Sequence, residues 1–170
     1  KHLSILYFIM NLAIKTNEFD PHNIIISEKT KNNVMSESDF YRLIWSNEYC
    51  STNGIFIYFN LQKVRIERYF NKIKCVFENN HNNQSTITYI KSIERLILNK
   101  FKNNNNKDMS RRIYEQLENG FIKLYPQNEN VVYKEYTNLK FLLKISGIWS
   151  SNENNSFGLT FRFFIINNQF

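Results

Sequence analysis

Apolar and polar residues alternate with period two along most of this chain. In DFYRLIWS, Tyr41, Leu43 and Trp45 share one face and Arg42 and Ile44 the other, and in NGIFIYFN Ile55, Ile57 and Phe59 oppose Phe56 and Tyr58. In NKIKCVFE, Ile73, Cys75 and Phe77 alternate with Lys72, Lys74 and Val76. Near the end, Leu139, Phe141, Leu143 and Ile145 oppose Lys140, Leu142 and Lys144, and Leu159, Phe161, Phe163 and Ile165 oppose Thr160, Arg162, Phe164 and Ile166. Each run reads as a half-buried strand. The polar stretch between Gly147 and Gly158 suits a hairpin, so the last two strands are expected to pair antiparallel.

Two segments change period. From Ser85 to Lys102, Ile90, Ile93, Ile97 and Phe101 recur at helical spacing, with Lys91, Glu94 and Arg95 turned away and Ser85 or Thr86 as the cap. A shorter helix is expected at Met109 to Glu118, starting from Asp108 or Ser110 and stopped by Asn119-Gly120. The polar breaks Glu78 to Gln84, Asn103 to Asn106, Gln127 to Asn130 and Ser150 to Asn155 are Asn-rich loops within one domain rather than Pro/Gly linkers. The expected fold is mainly β with inserted helices (α+β): an OB-fold-like antiparallel barrel with one long and one short helix between strands. Residues 10–170 form that single domain, and residues 1–9 read as an upstream extension ahead of a start at Met10, or as an added strand or helix.

Turning the aliphatic residues inward leaves Arg42, Phe56, Tyr58, Lys72, Lys74, Lys140, Lys144 and Arg162 facing out. Trp45 and Trp149 fall in the inward phase, although a bulge at Gly147 would bring Trp149 outward. Lys63, Arg65, Arg68, Lys72 and Lys74 form a second basic cluster around Tyr69 and Phe70, either a further basic surface or an exposed connector or edge strand, and Arg111 and Arg112 either extend the positive surface or lie on an ordinary solvated helix face. Cations for phosphates and flat rings for bases are what a single nucleic-acid strand requires.

Composition agrees in sign. The 170 residues hold 22 Lys and Arg against 15 Asp and Glu, a formal charge of +7, and 16% are aromatic. That balance favours a polyanionic partner. AT-rich codons give the same composition, so placement of the charges has to decide.

Catalytic signals are weak. The sequence lacks a Gly-rich phosphate loop, a nucleophile elbow and an HExxH motif, and Asp20, Asp39, Glu48 and Glu67 have no spacing that implies an acid/base pair or a metal. Cys50 and Cys75 are solitary, as are His2, His22 and His81, so two reduced, buried thiols are expected rather than a disulfide or a zinc site. The apolar run Leu3 to Ile14 is too short to span a bilayer and lacks a signal-peptide layout. No enzyme activity, cofactor, metal or membrane is called for.

The stretches FDPHNIIIS, RLIWSNEYCSTNGIFIYFNL, IERYFNKIKCVF, IKSIERLILNKF and LKFLLKISGIWSSNENNSFGLTFRFF cover most of the chain from Met10 onward. In their order, and in the closing LKISGIW…GLTFRF pair, the chain resembles the OB-fold single-stranded-DNA-binding proteins of nucleocytoplasmic large DNA viruses, a group similar to the replication proteins of short-tailed phages. The resemblance implies a protein that coats single-stranded DNA during replication, recombination or repair in a host nucleus or viral replication site. It also implies replication proteins as further partners. The phage-type proteins are similar in carrying an acidic tail that ends in an aromatic residue; here the chain ends IINNQF, keeping Phe170 without the acidic stretch, which puts tail-mediated recruitment in doubt. A homodimer is compatible with all of this. Two other classes compete: a structural or partner-binding viral β-domain indifferent to nucleic acid, and a metal-dependent nuclease assembled from distant carboxylates.

Overall fold

Ten strands, the five expected ones among them, and two helices are present among the residues that the structure, a computed structural model, describes: 13–15, 18–35, 37–70, 72–102, 106–124 and 134–166. In chain order they are β1 (Ile14–Lys15), β2 (Ile24–Lys31), β3 (Ser38–Ser46), β4 (Ser51–Asn53), β5 (Ile55–Tyr69), β6 (Lys72–Phe77), α1 (His81–Lys102), β7 (Asp108–Ser110), α2 (Arg112–Glu118), β8 (Phe121–Leu124), β9 (Glu135–Ser151) and β10 (Ser156–Ile166). The expectations for residues 1–9, His2, the Gln127 to Asn130 loop and Phe170 lie outside the described residues.

One mostly antiparallel sheet holds all ten strands, in the order β2-β3-β9-β5-β6-β8, with β1 on β5, β4 on β3, and β10 joining β9 to β7. Among the described strands β1 with β5 and β7 with β10 run parallel, and an isolated parallel bridge joins Ile44 to Gly54. No ladder among the described residues closes this branched path into a ring. The last two strands pair antiparallel as expected, from Ser156 opposite Ser151 to Ile166 opposite Lys140.

β9 is the hub. Along one edge it carries β10, and along the other it carries β5 as far as Ile145 and then β3 from Gly147. The switch coincides with a register shift: Phe161 faces Ile145 and Thr160 faces Gly147, so Ser146 is an extra residue. An extra residue inverts the in–out phase. Leu143 and Ile145 point into the core before it, and Ile148 and Ser150 are buried after it.

β5 is longer than the alternation predicted. The segment read as an exposed connector or edge, around Lys63, Arg65 and Arg68, is the second half of this internal strand and pairs with β6 from Val64 opposite Phe77 to Tyr69 opposite Lys72. Lys63 adopts a left-handed φ of 52°, and buried positions on either side of it, Leu61 and Val64, are three apart rather than two. The shift lets one strand serve two neighbours with its apolar side always inward.

The helices cover the inner face. Ile87, Ile90, Ile93, Ile97 and Leu98 of α1 and Ile113 and Leu117 of α2 join Leu43, Ile57, Phe141, Leu143 and Phe163 in the main core. α1 starts four residues before Ser85, at His81, because Asn80 rather than Ser85 or Thr86 accepts the Asn83 N–H on its side-chain oxygen (3.1 Å). Buried Asn83 then bonds the Gln62 N–H and carbonyl (2.7 and 2.9 Å), tying the helix to β5. α2 is shorter than expected, because Asp108–Ser110 pairs with β10 as a strand.

Glu94 corrects the reading that placed it on the solvent side of the helix. It is 1% exposed and accepts the backbone N–H groups of Ile113 (3.0 Å) and Tyr114 (2.6 Å). Arg111, at the start of α2, provides no side-chain cap, so a carboxylate from the other helix does so instead. Burial pushes the Glu94 pKa up from its ordinary 4.5, against the opposing pull of the two N–H groups. Trp45 is inward as expected and stacks on Phe19 with centroids 5.4 Å apart. Cys75 is buried, which pushes its thiol up to about 12, while Cys50 is half-buried; both are free.

Two predictions concern Glu94. Glu94→Ala orphans two N–H donors and is expected to lower unfolding stability by about 1–3 kcal/mol in a denaturant titration. A carboxyl with a raised folded pKa contributes stability that is full below its unfolded value and is lost as pH rises through the folded one. The stability difference between wild type and Glu94→Gln should therefore change in the wild type's disfavour as pH rises above the ordinary carboxylate range. A difference that does not vary with pH contradicts this assignment.

Candidate nucleic-acid interface

The side of the sheet away from the helices carries the candidate site. Cross-strand partners in a ladder project to the same face, so the register defines which side chains are neighbours. Across β5, β9 and β10 the outer rows are Phe56–Lys144–Arg162, Tyr58–Leu142–Phe164 and Asn60–Lys140–Ile166. Beyond the extra residue at Ser146, β3 replaces β5 and the rows continue as Arg42–Gly147–Thr160 and Phe40–Trp149–Gly158. These fifteen positions hold four cations, five aromatic residues and no carboxylate.

Phe56, Leu142 and Ile166 form a small apolar cluster separate from the main core, with Ala13, Tyr58 and Phe164 packed against it. Phe56 thus faces outward as predicted but is only 8% exposed, which removes it as an open platform for a base. Its ring supports the Lys144 ammonium, 5.3 Å from the centroid. Lys140 and Lys144 are half-buried, while Arg162 and Arg42 are exposed. Arg42 donates to the side-chain oxygen of Asn53 at 3.1 Å. Tyr58 and Phe164 are half-buried and keep part of their rings at the surface.

Trp149 departs from its inward phase. The register shift at Ser146 puts it on the outer side, where it is half-buried and lies over Gly158. A Cβ on Gly158 would approach the indole to 2.9 Å. Phe40, which the alternation did not single out, lies over Gly147 in the same manner. Two glycines therefore provide the space in which two rings lie down on the sheet.

The other predicted cations divide. Lys74 lies on β6, beyond the phase shift at Lys63, and its ammonium is 4.8 Å from the Phe121 ring centroid. Lys72, also on β6, is in register with Tyr69 at the end of β5. Arg68 is exposed but in register with buried Ile73, on the core side of the sheet, and Arg65 forms an ion pair with Glu67 at 2.7 Å. Arg111 and Arg112 do not extend the outer face: they begin α2 in the helical layer, where the Arg111 guanidinium and the Lys91 ammonium flank Tyr114 and Lys91 also pairs with Glu118. Among the described residues no group of three His, Cys, Asp or Glu side chains is placed to hold a metal ion, and no helix is long and apolar enough to cross a membrane.

One close approach gives a stability prediction. A Cβ on Gly147 would stand 2.5 Å from the Tyr41 carbonyl oxygen and closer still to the Phe40 ring. Gly147→Ala is expected to cost about 1–3 kcal/mol in unfolding stability, because the obstructing atom is backbone and cannot move cheaply. A variant with an unchanged denaturation midpoint would show that the rings are not seated as described. No protein-family model, curated protein or solved structure matches this chain.

Proposed function

We propose that this protein binds single-stranded DNA without strong sequence preference on the outer face of β3, β5, β9 and β10, and that it acts by binding rather than by catalysis. One observation carries the reading. Lys144 and Arg162 stand directly opposite each other on adjacent strands, in a field of aromatic side chains that contains no carboxylate. Cations set among flat rings, with no carboxylate among the fifteen outer positions, suit a polyanion that also offers faces to stack. The phosphates run along Arg42, Lys144, Arg162 and Lys140, while bases rest on Tyr58, Phe164 and Trp149. Flat rings with cations between them suit bases of any identity, since every base has a face to stack and none is read by its edge. The OB-type barrel and the replication, recombination or repair setting that the sequence resemblance implies belong to the same proposal. A partner-binding β-domain gains less support, because the outer apolar cluster of Phe56, Leu142 and Ile166 is already buried.

Titration of a labelled oligothymidylate, followed by fluorescence anisotropy at several salt concentrations, tests this. Wild type is expected to bind at low salt, with log K falling against log salt by about 0.7 for each phosphate neutralised. The triple variant Lys140→Gln, Lys144→Gln, Arg162→Gln, with its circular dichroism unchanged, should lose about 2 from that slope. Absence of binding by the wild type at low salt would sink the proposal.

A further inference from the structure

Arg42 is held at both ends. Its backbone N–H donates to the Ser27 hydroxyl at 2.9 Å, where β2 and β3 slip out of register between Ile26 and Lys29. Its guanidinium donates to the side-chain oxygen of Asn53 at 3.1 Å. Arginine carries donors and no acceptor, so the Asn53 amide has to present its oxygen to it. The two N–H groups of that amide have no acceptor among the described residues, and Asn53 is exposed. What the hold lacks is a negative charge. Lys29 with Asp39, Arg65 with Glu67 and Lys91 with Glu118 are ion pairs, whereas Arg42 belongs to none among the described residues. A neutral partner orients the guanidinium and leaves its full charge for an anion.

Asn53 owes its place to the junction where β9 changes partner. β4 joins β3 through Thr52 opposite Trp45 and Ser51 opposite Ser46, and the Gly54 N–H then donates to the Leu43 carbonyl at 2.8 Å. Gly54 turns the chain into β5 with a φ of 98°, a conformation open to a residue without a side chain. A Cβ there would stand 3.0 Å from the Ile145 carbonyl oxygen and 3.7 Å from Lys144 Cε. Asn53 and Gly54 thus meet a cation on each side of the extra residue at Ser146. The asparagine bonds Arg42, and the glycine lies beside the Lys144 stem.

We infer that Asn53 is a positioning residue for the phosphate that Arg42 binds: it fixes the guanidinium without neutralising it. Arg42 and Lys144 then serve as neighbouring stations for the strand where the outer face passes from β5 to β3. The inference rests on the reading of that face as a single-strand site and adds what joins its two halves. A carboxylate in the place of the amide would hold Arg42 more tightly and compete with the phosphate for it. Local structure would then stay while binding falls, which separates positioning from support of the fold.

Asn53→Asp is the discriminating variant, because it keeps the size of the side chain and the bond to Arg42 while adding one negative charge. Its denaturation midpoint is expected to be no lower than that of the wild type. Affinity for a labelled oligothymidylate should fall roughly tenfold at low salt, and the salt slope by about 0.7, the share of one phosphate. Asn99→Asp, at an exposed position of α1 in the helical layer, makes the same change in net charge and should leave affinity within about twofold. Asn53→Ala removes the hold without adding charge; a loss of roughly threefold is expected with Arg42 present and none in an Arg42→Gln background. Wild-type affinity and slope in Asn53→Asp, an equal loss in Asn99→Asp, or an Asn53→Ala loss that persists without Arg42 each overturns the positioning role while the binding face stands. A wild type that binds no strand removes both.

Discussion

Everything on the outer face depends on the ladder between β9 and its neighbours. Leu139, Phe141, Leu143 and Ile145 are drawn into the core by burial of apolar surface, each worth roughly 1.5–3 kcal/mol. Strand geometry then gives the intervening residues no choice of side. Lys140, Leu142 and Lys144 are held outward by the same pleat that buries their neighbours, and β5 and β10 bring Phe56, Tyr58, Arg162 and Phe164 alongside. The charge on this face is thus a consequence of the core behind it. A slip of one residue in register would bury lysines, which is why the arrangement is firmly specified.

The extra residue at Ser146 makes one strand do two jobs. Without it, Trp149 would enter the core and Ile148 would face outward. With it, β9 passes from β5 to β3 and extends the outer face by the Arg42 and Trp149 rows. The rings of Phe40 and Trp149 lie flat because Gly147 and Gly158 carry no side chain beneath them. The helical layer differs in kind: Lys91 and Arg111 flank Tyr114, and Lys91 forms an ion pair with Glu118. On the outer face the cations stand among rings, with no carboxylate in the rows of the ladder.

Period-two alternation made five of the ten strands and most of the inner face legible from sequence, because the phase of a long run can be judged within the run itself. Features that depend on pairing were not legible. The phase inversion at Ser146 follows from where β10 and β3 register, and the length of β5 follows from β6 lying beside it; neither partner is visible in a local window. Glu94 read as solvent-facing because its charge argues for water, and only the packing of α2 against α1 shows the two N–H groups that hold it. β8 was passed over although FIKL alternates like the other strands, since four residues make too short a run to weigh against noise. Phe56 was placed on the correct side, but its burial is set by Leu142 and Ile166, far away in the chain.

The central claim is that nucleic acid lies on the sheet and away from the helices. Ultraviolet crosslinking of the protein to a thymidine-rich single strand, with the modified peptides identified by mass spectrometry, tests it most directly. Adducts at Tyr58, Trp149 or Phe164 on the outer face are the predicted result. Adducts confined to the helical layer, at Tyr114 or its neighbours on α1 and α2, would contradict the account.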